Sequence, residues 1–174
     1  CDDLRLLNSG PKAGLEELIL PEVEPGSSLM PGKINPSIPE CMNMICYQVQ
    51  GNDLVVMQAA SNSQLQLNVM WPVINFNLLF SIKIFSNGLN MLNGCVKGLK
   101  VNIKRCKELL DNSLCLATAL NPYLGYEVAA EVVKLALKED VSIKKMVLNL
   151  GLMTEHDLDY VLDPSKLIKP GLIN

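Results

Sequence analysis

Residues 26–36 read Gly26-Ser27-Ser28-Leu29-Met30-Pro31-Gly32-Lys33-Ile34-Asn35-Pro36, in a chain of 174 residues that is 49% hydrophobic. Packing gives no reason to hold two serines, two glycines, a lysine and an asparagine between prolines, so this stretch reads as chemistry. Working outward, residues 1–36 are rich in Gly, Pro and Ser, with Ser9-Gly10-Pro11 and Pro25-Gly26-Ser27-Ser28 among them. Such clusters punctuate a chain, and most of this segment is expected to be loop. Loops on a rigid scaffold are where binding and catalytic groups concentrate.

Downstream the pattern becomes helical. From about Pro39 to Ser61 good helix formers are apolar nearly all round, which predicts a buried helix, kinked rather than ended at Gly51-Asn52-Asp53. A second helix is expected over residues 64–94 with two apolar seams. One runs through Trp71, Ile74, Leu78, Ile82, Phe85, Leu89 and Leu92, the other through Val69, Val73, Phe76, Phe80 and Ile84. Two seams imply neighbours on two sides, as for an inner member of a bundle. Pro72 removes a donor and crowds the carbonyl four residues back, so a kink is predicted near Asn68.

After Gly98 the texture turns to short, charged helices. One is expected over residues 103–111 behind Asn102. Another, from Tyr123 or Tyr126 to Glu139, should present Val128, Val132 and Leu135 on one face and Glu127, Glu131, Lys134 and Lys138 on the other. Residues 142–150 form a third, closed by Gly151. Thr154 with Asp157, flanked by Met153 and Leu158, announces a fourth that Asp163-Pro164 stops. The expected fold class is therefore all-α: long bundle helices and the loop over residues 1–103, then a small helical C-terminal domain over 104–174.

Composition narrows the function classes. The net charge is −3 and the isoelectric point near 5.2, so there is no electrostatic footprint for nucleic acid. Mean hydropathy is +0.23, and residues 41–82 carry one formal charge, Asp53. The amides interspersed there leave no apolar run of about 18 residues, so no membrane span is expected. A charge-poor, amide-rich stretch suits helices buried inside an oligomer. The cysteines at 1, 41, 46, 95, 106 and 115 form no CxxC pair, and His156 is the single histidine. No metal site, cofactor fingerprint or phosphate-binding loop is expected, and reduced thiols fit a cytoplasmic protein. The chain begins Cys-Asp-Asp-Leu with no signal peptide visible, which reads as a piece of a longer protein.

The loop is similar to the signature loop of the fumarase/aspartase superfamily, homotetrameric lyases that eliminate ammonia, water or a larger amine from a succinyl skeleton to give fumarate. Eleven positions in register carry the resemblance. It continues through Ser9-Gly10-Pro11-Lys12-Ala13-Gly14-Leu15, Gly51-Asn52-Asp53, Leu67-Asn68-Val69, residues 120–126 and Gly151-Leu152-Met153-Thr154. The resemblance implies a small dicarboxylate substrate and a serine base, Ser27, that takes a carbon-bound proton. Removing that proton beside a carboxylate leaves an aci-carboxylate dianion, which fixed cations and donors stabilise far more in a water-excluded pocket than in solvent. Lys33 and Asn35 match the family's carboxylate ligands, with Gly26, Ser28, Met30, Pro31 and Pro36 shaping the loop. Backbone amides in such a turn can stabilise an alkoxide, and Gly26 and Gly32 suit a lid that closes on substrate.

Glu40 occupies the position where the family places a glutamate paired with an active-site histidine of another subunit; a first-turn carboxylate favoured by the helix dipole is the alternative reading. The matching histidine is not in this sequence, and His156 reads as a solvated helix residue. Residues 120–126 and 151–154 point to the aspartase and class II fumarase branch. Ala13, Pro36-Ser37-Ile38-Pro39-Glu40 and Asn68-Val69-Met70-Trp71-Pro72-Val73 lean to its ammonia-eliminating side, although Trp71 departs from both. The chain corresponds to the C-terminal part of a family subunit, so the piece alone is expected to be inactive. A different class of reading is a helical assembly module that keeps the loop without using it.

Overall fold

A computed structural model describes residues 1–169; the last residues of the segment 104–174 lie outside this range. The fold is helical. It divides into two compact units, one of Cys1–Asn102 and a second beginning at Ile103.

In the first unit, α1 (Asp2–Leu7) precedes the long loop, α2 (Ser37–Ser61) follows it, and α3 (Trp71–Gly98) returns alongside α2. Leu18–Ile19 and Lys100–Val101 form a two-residue antiparallel pairing, β1 with β2. The antiparallel sense of α2 and α3 follows from two contacts. Asn52 meets Ser81, and a Cβ placed on Gly88 would lie 2.8 Å from Ile45 and 2.9 Å from Met42.

The residues facing inward between these helices repeat in threes and fours. On α2 they are Met42, Ile45, Val49, Asn52, Val56 and Ala59; on α3 they are Ile74, Asn77, Ser81, Ile84, Gly88, Met91 and Cys95. That spacing keeps one stripe of each helix against the other, as in a coiled coil. Small residues bring the backbones together, and the polar ones are paired. Gln48 donates to Asn52 Oδ1 and Asn52 donates to Ser81 Oγ, each at 2.8 Å, while Asn77 bonds the Val73 carbonyl. Buried amides are tolerable only when paired in this way.

Several expectations are corrected here. Neither predicted seam of α3 is the buried one: of the first only Ile74 is buried, and Phe76 and Phe80 of the second stack on each other at the surface. α2 is not buried all round, since Met44, Tyr47, Leu54, Val55 and Met57 are exposed. The helix expected from residue 64 begins at Trp71. Gln64 and Leu67 instead exchange two backbone hydrogen bonds at 2.9 Å around Leu65 and Gln66, both at positive φ, and Asn68 Oδ1 accepts from Met70 N. Pro72 then falls in the first turn of α3, where a missing N–H leaves no bond unmade, so there is no kink at Asn68. Most of the opening segment is loop as expected, with α1 and the two residues of β1 its regular elements.

The second unit contains α4 (Ile103–Asp111), a 3-10 segment (Leu114–Leu120), α5 (Asn121–Leu124), α6 (Tyr126–Glu139), α7 (Ile143–Asn149), α8 (Glu155–Val161) and α9 (Pro164–Leu167). Its core joins Leu116, Leu120, Val132, Ile143, Met146, Val147, Leu158 and Val161. α6 buries Ala129, Val132 and Ala136 rather than the Val128, Val132, Leu135 face. Ser142, Thr154 and Asp163 each accept a backbone N–H at a helix start, and Asp163-Pro164 begins α9 as well as following α8. Gly151 N bonds Leu148 O and Leu152 N bonds Val147 O, the paired closure of a glycine C-cap.

Leu158 is fully buried, so Leu158→Ala is expected to destabilise this unit by about 2–5 kcal/mol, read from a urea unfolding curve. The Thr154 hydroxyl donates to the Asp157 carboxylate and holds it below the usual carboxylate range. A depressed carboxyl favours the folded state above its unfolded pKa, and that contribution fades as pH falls through the folded value. The stability gap between wild type and Thr154→Ala should therefore narrow below about pH 4.

Candidate active site

The loop is closed across its neck by its own backbone and one side chain. Gly26 N donates to Lys33 O at 3.0 Å, and Asn35 Nδ2 donates to Gly26 O at 3.1 Å. Outside these, Ser37 Oγ donates to Glu24 Oε1 at 2.6 Å and ties the loop entrance to the first residue of α2. A Cβ at residue 26 would sit 2.3 Å from the Lys33 carbonyl oxygen, so only glycine allows this crossing.

Within the neck the chain turns back on Ser27. Its Oγ accepts the backbone N–H groups of Leu29, at 3.1 Å, and Met30, at 3.2 Å. Two donors on one hydroxyl oxygen favour negative charge there, because an N–H bonds an alkoxide more strongly than a neutral alcohol. Ser27 is half-buried, whereas Ser28, Leu29, Met30, Pro31 and Lys33 are exposed. Lys33 N donates to Met30 O at 3.3 Å and continues the turn, leaving its ammonium at the loop surface. Asn35 uses one amide hydrogen on Gly26 O; an amide NH2 carries a second.

Glu40 lies in the first turn of α2, with its backbone N–H on Pro36 O at 3.1 Å. Its carboxylate faces Arg5 of α1, with Nε 4.0 Å from Oε1. The structure thus gathers Gly26, Ser27, Lys33 and Asn35 in one hydrogen-bonded turn and sets Glu40 just beyond it at the start of α2. Arg5 and Asp2 escape the sequence reading because the segment holding them looks like loop. Their signal is an acid and an arginine three residues apart, which marks one face of a helical turn. His156 is fully on the surface of the second unit. Among the described residues no group of three or more His, Cys, Asp or Glu side chains could hold a metal, and no helix is long and apolar enough to cross a membrane.

Comparison with known proteins gives this geometry a setting. The family described as Lyase matches residues 1–51, and the family described as Fumarase C C-terminus matches residues 116–169. An aspartate ammonia-lyase from Pseudomonas fluorescens is 46% identical over 174 residues, covering 99% of this chain and 36% of the relative. A class II fumarate hydratase from Rickettsia felis is 49% identical over 168 residues, covering 96% and 36%. A fumarate lyase:delta crystallin protein from Brucella melitensis superposes with a TM-score of 0.88 at 46% identity, over 97% of this chain and 37% of that one. A class II fumarase from Schistosoma mansoni gives 0.84 at 38% identity, over 95% and 35%.

The helical pair and its loop are therefore those of a known family: the chain carries the Lyase and Fumarase C C-terminus domains and is homologous to members of the fumarase/aspartase superfamily. Within it, the chain is homologous to the C-terminal part of aspartate ammonia-lyase, with class II fumarase also close. It spans a little over a third of the length of these curated relatives.

Gly26→Ala tests the neck directly. Backbone amides over residues 26–35 should then exchange with deuterium faster, while those of α7 and α8 keep their protection.

Proposed function

We propose that this chain supplies the base-carrying loop of an aspartate ammonia-lyase, which converts L-aspartate reversibly to fumarate and ammonium. The observation that supports it best is the pair of N–H donors on Ser27 Oγ. As an alkoxide, Ser27 takes a proton from the β-carbon of aspartate and becomes a neutral hydroxyl. The electron pair left behind moves into the neighbouring carboxylate as an aci-carboxylate. Lys33 offers it a fixed positive charge and Asn35 a neutral N–H. When that pair returns to form the carbon–carbon double bond, the carbon–nitrogen bond breaks and ammonium leaves.

The apolar side chains displayed by the loop suit a lid. Leu29 is 88% exposed with the loop in this position, and closure over substrate would cover it and exclude water. Glu40 acts from the start of α2. The relatives' additional length would supply the remaining contacts, so the chain alone should not turn over substrate.

The same reading accounts for the outer faces of α2 and α3. Met44, Tyr47, Leu54, Trp71, Phe76, Leu79 and Ile82 are exposed around the inward stripes, and clustered apolar surface of this kind suits an interaction face. We assign these faces to packing against copies of the same helices in a homotetramer. Sedimentation of the isolated chain should show self-association; a strictly monomeric species would count against assembly through this pair alone.

Activity separates the possibilities. The full-length protein should release fumarate from L-aspartate, and Ser27→Ala should slow it by about 10²- to 10⁴-fold, the usual contribution of a general base. Fumarate from malate but none from aspartate would replace this reading with a fumarate hydratase. Unchanged turnover in Ser27→Ala would leave the loop as part of a non-catalytic assembly module.

A further inference from the structure

Among the residues assigned to the site, Glu40 lies beyond the loop, and its carboxylate faces α1. Asp2 and Arg5 lie three apart on α1, and Glu40 and Asn43 lie three apart on α2. The four side chains form one connected set. Asn43 Nδ2 donates to Asp2 Oδ1 at 2.6 Å, Arg5 Nη1 lies 3.4 Å from the same oxygen, and Arg5 Nε lies 4.0 Å from Glu40 Oε1.

Asn43 is buried, and a buried amide without a partner is costly. Its bond to Asp2 is therefore the fixed point of the set. Asp2 holds the guanidinium, and the guanidinium, which keeps its charge at any working pH, is directed at Glu40. The Arg5–Glu40 contact is too long for a hydrogen bond and is partly exposed, so it adds little to stability. Its effect is on orientation: a fixed cation limits the positions open to a first-turn glutamate.

We propose that Arg5, anchored through Asp2 on Asn43, is a positioning residue that sets the Glu40 carboxylate for the elimination step. This rests on the functional reading above, in which Glu40 takes part in the reaction.

The test uses the full-length protein and compares Arg5→Gln, Arg5→Lys, Glu40→Gln and the double variant Arg5→Gln/Glu40→Gln. Arg5→Gln should lower kcat for L-aspartate by up to about fivefold, the scale of one partly exposed ion pair, with KM unmoved. Arg5→Lys, which keeps the charge, should recover most of that loss. The double variant should be no slower than Glu40→Gln alone, because the arginine then has nothing left to position. Should Arg5→Gln fail to assemble, Asp2→Asn takes its place. It keeps an acceptor for Asn43 but removes the charge that holds Arg5, and it should lower kcat in the same way.

Wild-type kcat in Arg5→Gln or its stand-in, losses that multiply in the double variant, or Arg5→Lys no better than Arg5→Gln would each overturn the proposal. If Glu40→Gln itself leaves kcat unchanged, the role of Glu40 in the functional reading fails and this inference fails with it. A slow Glu40→Gln beside a normal Arg5→Gln removes only the inference.

Discussion

The contact between α2 and α3 is the constraint on which the first unit depends. Two helices of 25 and 28 residues are held together along one stripe each, and among the large aliphatic side chains of that stripe stand asparagine, serine, glycine and cysteine. Gly88 admits Met42 and Ile45, and the Gln48–Asn52–Ser81 chain fixes the register further along. A purely aliphatic seam could slide by a turn with little penalty, whereas a buried amide left without its partner is expensive. With the register fixed, the first turn of α2 is fixed as well, and Ser37, Glu40 and Asn43 all lie in or next to that turn. The loop and α1 are built upon it.

The loop adds a second level of order by local means. A peptide with two glycines and three prolines would ordinarily sample many conformations. Here the Gly26–Lys33 and Asn35–Gly26 bonds close the neck, and the Ser27 hydroxyl holds the inner turn. The same oxygen that organises the backbone is the one assigned to chemistry. A group that is already the acceptor for two amides needs little rearrangement to carry charge, which is the sense in which a site is preorganised.

How much of this was legible in the sequence depends on the kind of signal. The helical class, the cap at Thr154 and the closure at Gly151 were readable because capping chemistry is local. The loop was readable because its residue types have no packing purpose. The buried stripe of α3 was not. Asn77, Ser81, Gly88 and Cys95 do not look like a hydrophobic face, while Phe76, Leu78, Phe80 and Ile82 do, so periodicity alone chose the outer faces rather than the one that meets α2. The start of α3 was missed for a related reason. Residues 64–70 have apolar side chains at helical spacing, but Asn68 and Pro72 act locally, one closing a turn before the helix and the other suiting its first turn. At the site, the spacing of Ser27, Lys33 and Asn35 was visible, but the arginine facing Glu40 lies 35 positions away in sequence and only the fold brings it near.

The mixed inner stripe of the α2–α3 pair has a consequence for a newly made chain. Because the inside of the hairpin spends several positions on small or polar side chains, many of its largest apolar side chains face outward. A newly made polypeptide of this kind leaves the ribosome with its stickiest surface uncovered, at a stage when collapse onto the wrong neighbour competes with correct association. Holdase chaperones recognise such surface, so yield in a cell should be governed by how fast that surface is covered rather than by how firmly the hairpin itself closes.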